Sequence, residues 1–61
     1  MASERAYTCG NNLYYVVEGY GRLIVQRQGW FVRTFIGYAR DFAEATALIR
    51  ADARSSRLRA A

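Results

Sequence analysis

One cysteine and no histidine in a chain of 61 residues limit how this fold can be held together. Cys9 has no internal partner for a disulfide, and without histidine no zinc site of common composition can form. A chain this short buries only about 60% of the surface its unfolded form exposes, so it can hold one core and no more. Stability must come from packing, or from self-association into a homodimer. An apolar share of 52%, with one Trp, five Tyr and three Phe, is ample for a folded domain.

No apolar run approaches the roughly 18 residues of a membrane helix, because Arg22, Arg27 and Arg33 interrupt the most hydrophobic region. No membrane partner is expected. The first six residues, Met-Ala-Ser-Glu-Arg-Ala, have no apolar run behind their charges, so no secretory signal is expected either. A lone thiol suits a reducing, cytoplasmic setting. The net charge is +4, and every basic residue is arginine. Arginine is the better bidentate ligand for phosphate and carboxylate, which favours an anionic partner; codon bias in a GC-rich genome is the alternative cause.

Without proline, repeats or low-complexity tracts, residues 1–61 form a single domain. Glycines punctuate it, and the segments between them are rich in the β-branched and aromatic residues that suit strands. The pattern predicts strands over 13–18, 22–27 and 30–38. Gln28-Gly29 suits a two-residue turn that sets Arg27 opposite Trp30. For the first hairpin, a three-residue loop of Gly19, Tyr20 and Gly21 is preferred, because it pairs Glu18 with Arg22. A two-residue turn would instead set Glu18 against Leu23 on the core face. Asp41 and Glu44 form a capping box that starts a helix over 41–58. Its apolar stripe is Phe42, Ala45, Ile49 and Ala53, with Arg50, Arg54 and Arg57 as a basic stripe beside it. Residues 1–11 are either without fixed structure or a short extra strand, and 12–39 form the sheet. The expected fold is α+β: a three-stranded antiparallel meander with one C-terminal helix packed on one face.

This pairing assigns Leu13, Tyr15, Val17, Leu23, Val25, Trp30, Val32 and Ile36 to the core face. The outer face then carries Tyr14, Val16, Glu18, Arg22, Ile24, Gln26, Phe31, Arg33 and Phe35. A face half apolar and half charged has the character of an interaction surface, unless the segment around Tyr7 folds back over it. With no histidine, the commonest general base is missing, and nothing in the sequence orients Cys9 as a nucleophile. No catalytic residue, metal ligand or cofactor is expected. Gly19, Tyr20 and Gly21 lack the further glycine and helix start of a phosphate loop.

Gly21-Arg22 opening a strand, Phe35-Ile36-Gly37 closing another, and a capped, alanine-lined helix mark the stretch 22–53, about half the chain. Through them this stretch resembles the three-stranded-sheet-plus-helix DNA-binding domains of plant ethylene-response factors and of the arm-binding domains of tyrosine integrases. The resemblance implies a sheet laid in the DNA major groove, with Arg22, Gln26, Arg27, Arg33 and Phe31 contacting it. The basic, tryptophan-bearing first strand of the plant domain is missing here. In size and style the chain is also similar to small phage-encoded accessory proteins, which implies an inhibitor that binds a host macromolecular complex in the bacterial cytoplasm.

Two functions follow. The first is a non-enzymatic module that binds a larger, acidic protein or complex through Tyr14, Ile24, Phe31 and Phe35, with Arg22, Gln26, Arg27 and Arg33 beside them. The alternative is a sequence-tolerant DNA- or RNA-binding domain that uses the same face.

Overall fold

The computed structural model describes residues 3–60, with side-chain surroundings for residues 3–55. Four strands, β1 (Glu4–Cys9), β2 (Asn12–Gly19), β3 (Arg22–Gln28) and β4 (Arg33–Ala39), precede one helix, α1 (Phe42–Ala60). The strands pair antiparallel in chain order, β1-β2-β3-β4. The α+β class and the C-terminal helix follow the sequence expectation, but the sheet has four strands instead of three.

The added strand comes from residues 4–9. Gly10, at φ 62°, and Asn11 turn the chain so that Cys9 faces Asn12 and β1 runs back along β2. Tyr7 therefore lies beside β2 opposite Tyr14, and its segment does not fold over the outer face.

The first predicted loop is corrected. Tyr20 and Gly21 alone make the β2-β3 turn, at φ 56° and 72°, so Gly19 faces Arg22 and Glu18 faces Leu23. Positive φ at both central residues is the turn geometry that matches strand twist. The pairing of Glu18 with Leu23 is tolerated because Glu18 is exposed at the end of the sheet, where its carboxylate accepts from Ser3 Oγ at 2.9 Å. A one-residue change in register moves every side chain of a strand to the other face. Tyr14 and Val16 are therefore buried under the helix, while Leu13, Tyr15 and Val17 belong to the outer face. A bulky side chain in the left-handed region is strained. Tyr20→Asn is expected to raise stability by about 0.5 kcal/mol, read as a shift in urea midpoint.

The second loop also departs from expectation. Gln28 faces Arg33, and the four residues between them form the turn, closed by the Gly29 amide donating to Val32 O at 2.8 Å. A Cβ on Gly29 would sit 2.7 Å from Val32 O, so only glycine fits this approach. Trp30 and Val32 therefore leave the predicted core for an exposed tip. A bulge places the extra residue Ile36 between Phe35, opposite Gln26, and Gly37, opposite Val25. Ile36 is half-buried against the core.

The core consists of Tyr14, Val16, Leu23, Val25, Ala39, Ala45, Ile49 and Ala53. The predicted stripe holds for Ala45, Ile49 and Ala53, whereas Phe42 is about half exposed. The cap forms as expected: the Glu44 amide donates to Asp41 Oδ1 at 2.9 Å. Glu44 reaches back one residue further than predicted, accepting from the Arg40 amide at 3.2 Å. Asp52 anchors the far half of the helix. It accepts from Tyr14 Oη at 2.7 Å and from Arg27 Nη1 at 2.8 and 2.9 Å, and Asn12 donates to Tyr14 Oη at 3.2 Å. Among the described residues no helix is long and apolar enough to cross a membrane.

Candidate binding surface

The helix covers only one side of the sheet. On the other, the strands present Leu13, Tyr15 and Val17 from β2, Arg22, Ile24 and Gln26 from β3, and Arg33, Phe35 and Tyr38 from β4. Alternation along each strand puts them on one face. Five residues predicted for this surface therefore lie on it: Arg22, Ile24, Gln26, Arg33 and Phe35. Tyr14 does not, because it is fully buried. Arg27 does not, because it faces the helix and pairs with Asp52. Phe31 lies in the loop beyond the end of the sheet. Of the basic stripe, Arg50 and Arg54 are exposed on α1, and the side chain of Arg57 lies outside the described residues.

The aromatic groups of the open face are held by cations. The Arg22 guanidinium lies 4.6 Å from the centre of the Tyr38 ring, and Phe35 meets Tyr38 edge-on with centroids 5.0 Å apart. Phe35 and Tyr38 remain 53% and 54% exposed. The Arg33 guanidinium lies 3.6 Å over the Tyr15 ring, donates to Gln26 Oε1 at 3.4 Å and pairs with Glu4. A side chain from β4 thus straps the face as far as β1. The hydrogen bond from Arg33 holds the Glu4 carboxyl below its ordinary range, and the same bond raises the Arg33 guanidinium.

At one end of the sheet, Trp30 is 96% exposed and Phe31 95%, with Val32 largely exposed beside them. Tyr20 is nearly as exposed in the opposite turn. The tryptophan and all three phenylalanines, Trp30, Phe31, Phe35 and Phe42, are thus exposed, while three of the eight core residues are alanine. Sequence reasoning placed Trp30 in the core because it assumed the shortest turn. The run Gly29-Trp30-Phe31-Val32 carries no polar residue to mark it as a loop.

All five acidic side chains are engaged within the chain. Glu4 meets Arg33, Glu18 meets Ser3, Asp41 caps the helix, Glu44 meets Arg40, and Asp52 meets Arg27 and Tyr14. Among the described residues no ion pair holds Arg5, Arg22, Arg50 or Arg54. The excess positive charge is therefore available at the surface. Among the described residues, no group of three or more His, Cys, Asp or Glu could hold a metal ion.

Fold and surface together define a class: a four-stranded antiparallel sheet with one helix behind it and an open aromatic and arginine-bearing face. No family model, curated protein or solved structure matches the chain.

Proposed function

We propose that this protein is a small non-enzymatic binding module that docks on a larger, acidic protein or protein complex, acting as an inhibitor or accessory factor of the kind phages encode. Its contact surface is the open sheet face together with the tip formed by Trp30, Phe31 and Val32. The observation that carries this reading is the near-complete exposure of Trp30 and Phe31. Large apolar rings standing in water are the anchors that dominate protein interfaces once a partner pocket desolvates them. Arg22, which no ion pair holds, supplies charge complementary to an acidic partner on this face.

Nucleic-acid binding by the same face is the second reading, favoured by the net charge of +4. The geometry gives it less support. On the open face the cations are Arg22 and Arg33, and Arg33 is already paired with Glu4. Arg27, which the DNA resemblance used, faces the other way.

Light scattering at low and high salt, with and without mixed-sequence DNA, separates the two. The expected result is a monomer that ignores DNA. A DNA complex whose affinity falls with a log-log salt slope of roughly −3 to −4 would establish the second reading instead. A protein captured by the wild type is then titrated against Trp30→Ala/Phe31→Ala. Affinity should fall by at least about 2 kcal/mol, roughly thirtyfold, with folding stability unchanged within about 0.5 kcal/mol. Undiminished affinity in the double variant would reject the tip as the anchor.

A further inference from the structure

The helix packs chiefly on β4 and β3 and only lightly on β1 and β2. It leaves a cleft of about 420 Å³ between β1 and α1, on the side away from the open face. Its walls are Arg5, Tyr7 and Cys9 from β1 and Phe42, Ile49 and Arg50 from the helix. The Arg5 guanidinium lies 5.3 Å from the centre of the Phe42 ring. No acidic residue lines the cleft, so it combines an apolar floor with two positive charges.

β1 beside it is an edge strand of the sheet. The Glu18 amide donates to Ser3 O at 2.8 Å, and the turn at Gly10 and Asn11 closes at Cys9 and Asn12. Antiparallel pairing alternates, so residues 3, 5, 7 and 9 direct their backbone groups to β2, and Glu4, Ala6 and Thr8 direct theirs outward. Edges are ordinarily blunted by proline, lysine or a bulge. β1 has no proline or lysine, its two charged side chains, Glu4 and Arg5, are drawn to Arg33 and Phe42, and its register is continuous, whereas β4, the other edge, carries a bulge.

We propose that β1 accepts an extended segment of a partner protein as a fifth strand. In that segment, alternate residues facing the cleft are apolar and acidic, the apolar ones packing over Tyr7 and Phe42 and the carboxylates meeting Arg5 and Arg50. Main-chain hydrogen bonds to Glu4, Ala6 and Thr8 bind the strand, and the cleft selects its side chains. A second copy of this chain is a poor occupant, because all five of its acidic side chains are already engaged. This site is separate from the open face and does not depend on its use.

The probe is the eight-residue peptide Glu-Thr-Phe-Thr-Glu-Thr-Phe-Thr, which puts glutamate and phenylalanine on one face when extended. It is titrated to about 1 mM while the amide resonances of β1 and the alkylation rate of Cys9 are followed. The expected result is shifts at Glu4, Ala6 and Thr8 with slower alkylation of Cys9. Arg50→Glu should weaken binding about tenfold. Ala6→Pro should abolish it, since it removes an outward N–H that β2 does not use. If Ala6→Pro fails to fold, the Arg50→Glu titration and Cys9 protection decide the question.

No shift in β1, equal binding of a peptide with arginine in place of glutamate, or unchanged binding to Ala6→Pro would overturn the proposal. So would a peptide-free dimer that pairs through β1. Loss of this site would leave the Trp30 and Phe31 double variant's behaviour unchanged, so the two proposals fail separately.

Discussion

Asp52→Ala is expected to cost about 3 kcal/mol of folding stability, measured by urea denaturation with an unchanged m-value. A domain of this length has roughly 3 to 9 kcal/mol in total, taking about 0.05–0.15 kcal/mol per residue. The change leaves Tyr14 Oη and the Arg27 guanidinium beneath the helix without their shared acceptor. A largely buried cation that loses its carboxylate retains its desolvation penalty and loses that part of the attraction offsetting it. Asp52→Asn keeps an acceptor for Tyr14 and should cost about half as much.

The same cluster gives the fold an alkaline limit. Burial, and then the hydrogen bond to Asp52, push the Tyr14 phenol up to about 12. Its folded pKa lies above the unfolded value of about 10, so the folded state holds this proton more tightly. The resulting stability is fully present below pH 10 and is lost as pH rises toward 12. The loss should be on the order of 2 kcal/mol. Tyr14→Phe should remove this part of the pH dependence, as followed by urea midpoints between pH 9 and 12.

Ile49→Ala is expected to cost about 3 kcal/mol, the usual range for emptying a buried aliphatic site. Ile49 is one of the few large side chains the helix contributes to a core otherwise closed by Ala45 and Ala53. A core with so many alanines has little large apolar surface left to compensate. Trp30→Ala removes far more apolar surface yet should change stability by less than about 0.5 kcal/mol, because that ring is already in water. Thermal melts of the two variants side by side make the comparison. A Trp30→Ala loss as large as the Ile49→Ala loss would mean that the tip packs against the domain, and would remove the basis for reading it as a docking anchor.

Several parts of this architecture were legible without coordinates. The Asp41 and Glu44 cap is a local signal, since a side-chain oxygen three residues before an amide acts within one turn. The spacing of Ala45, Ile49 and Ala53 identified the buried side of the helix for the same reason. Gly10-Asn11 is also a readable hairpin signal that favours the extra-strand alternative for residues 1–11, but polar and apolar residues do not alternate cleanly over 4–9. Arg22, Ile24 and Gln26 share the open face as expected, because the face of β3 does not depend on either disputed turn.

By itself, then, the sequence determined the α+β class, the helix and its cap, and the β2 and β3 segments. These depend on neighbours within a few residues. Only the tertiary structure decided which face of β2 is buried, where Arg27 points, and that Trp30 and Phe31 stand in solvent. The first turns on a single residue of loop length, the second on Asp52 reaching Arg27 from the helix, and the third on a four-residue turn where two residues were expected. Side-chain direction in a strand has a period of two, and the energy that selects the register comes from a helix some 20 residues away in sequence. The pairing of Tyr14 and Arg27 with Asp52 is the clearest case. No local pattern links these residues, yet their contact decides which of two alternating sets of side chains faces the helix and which remains open to a partner.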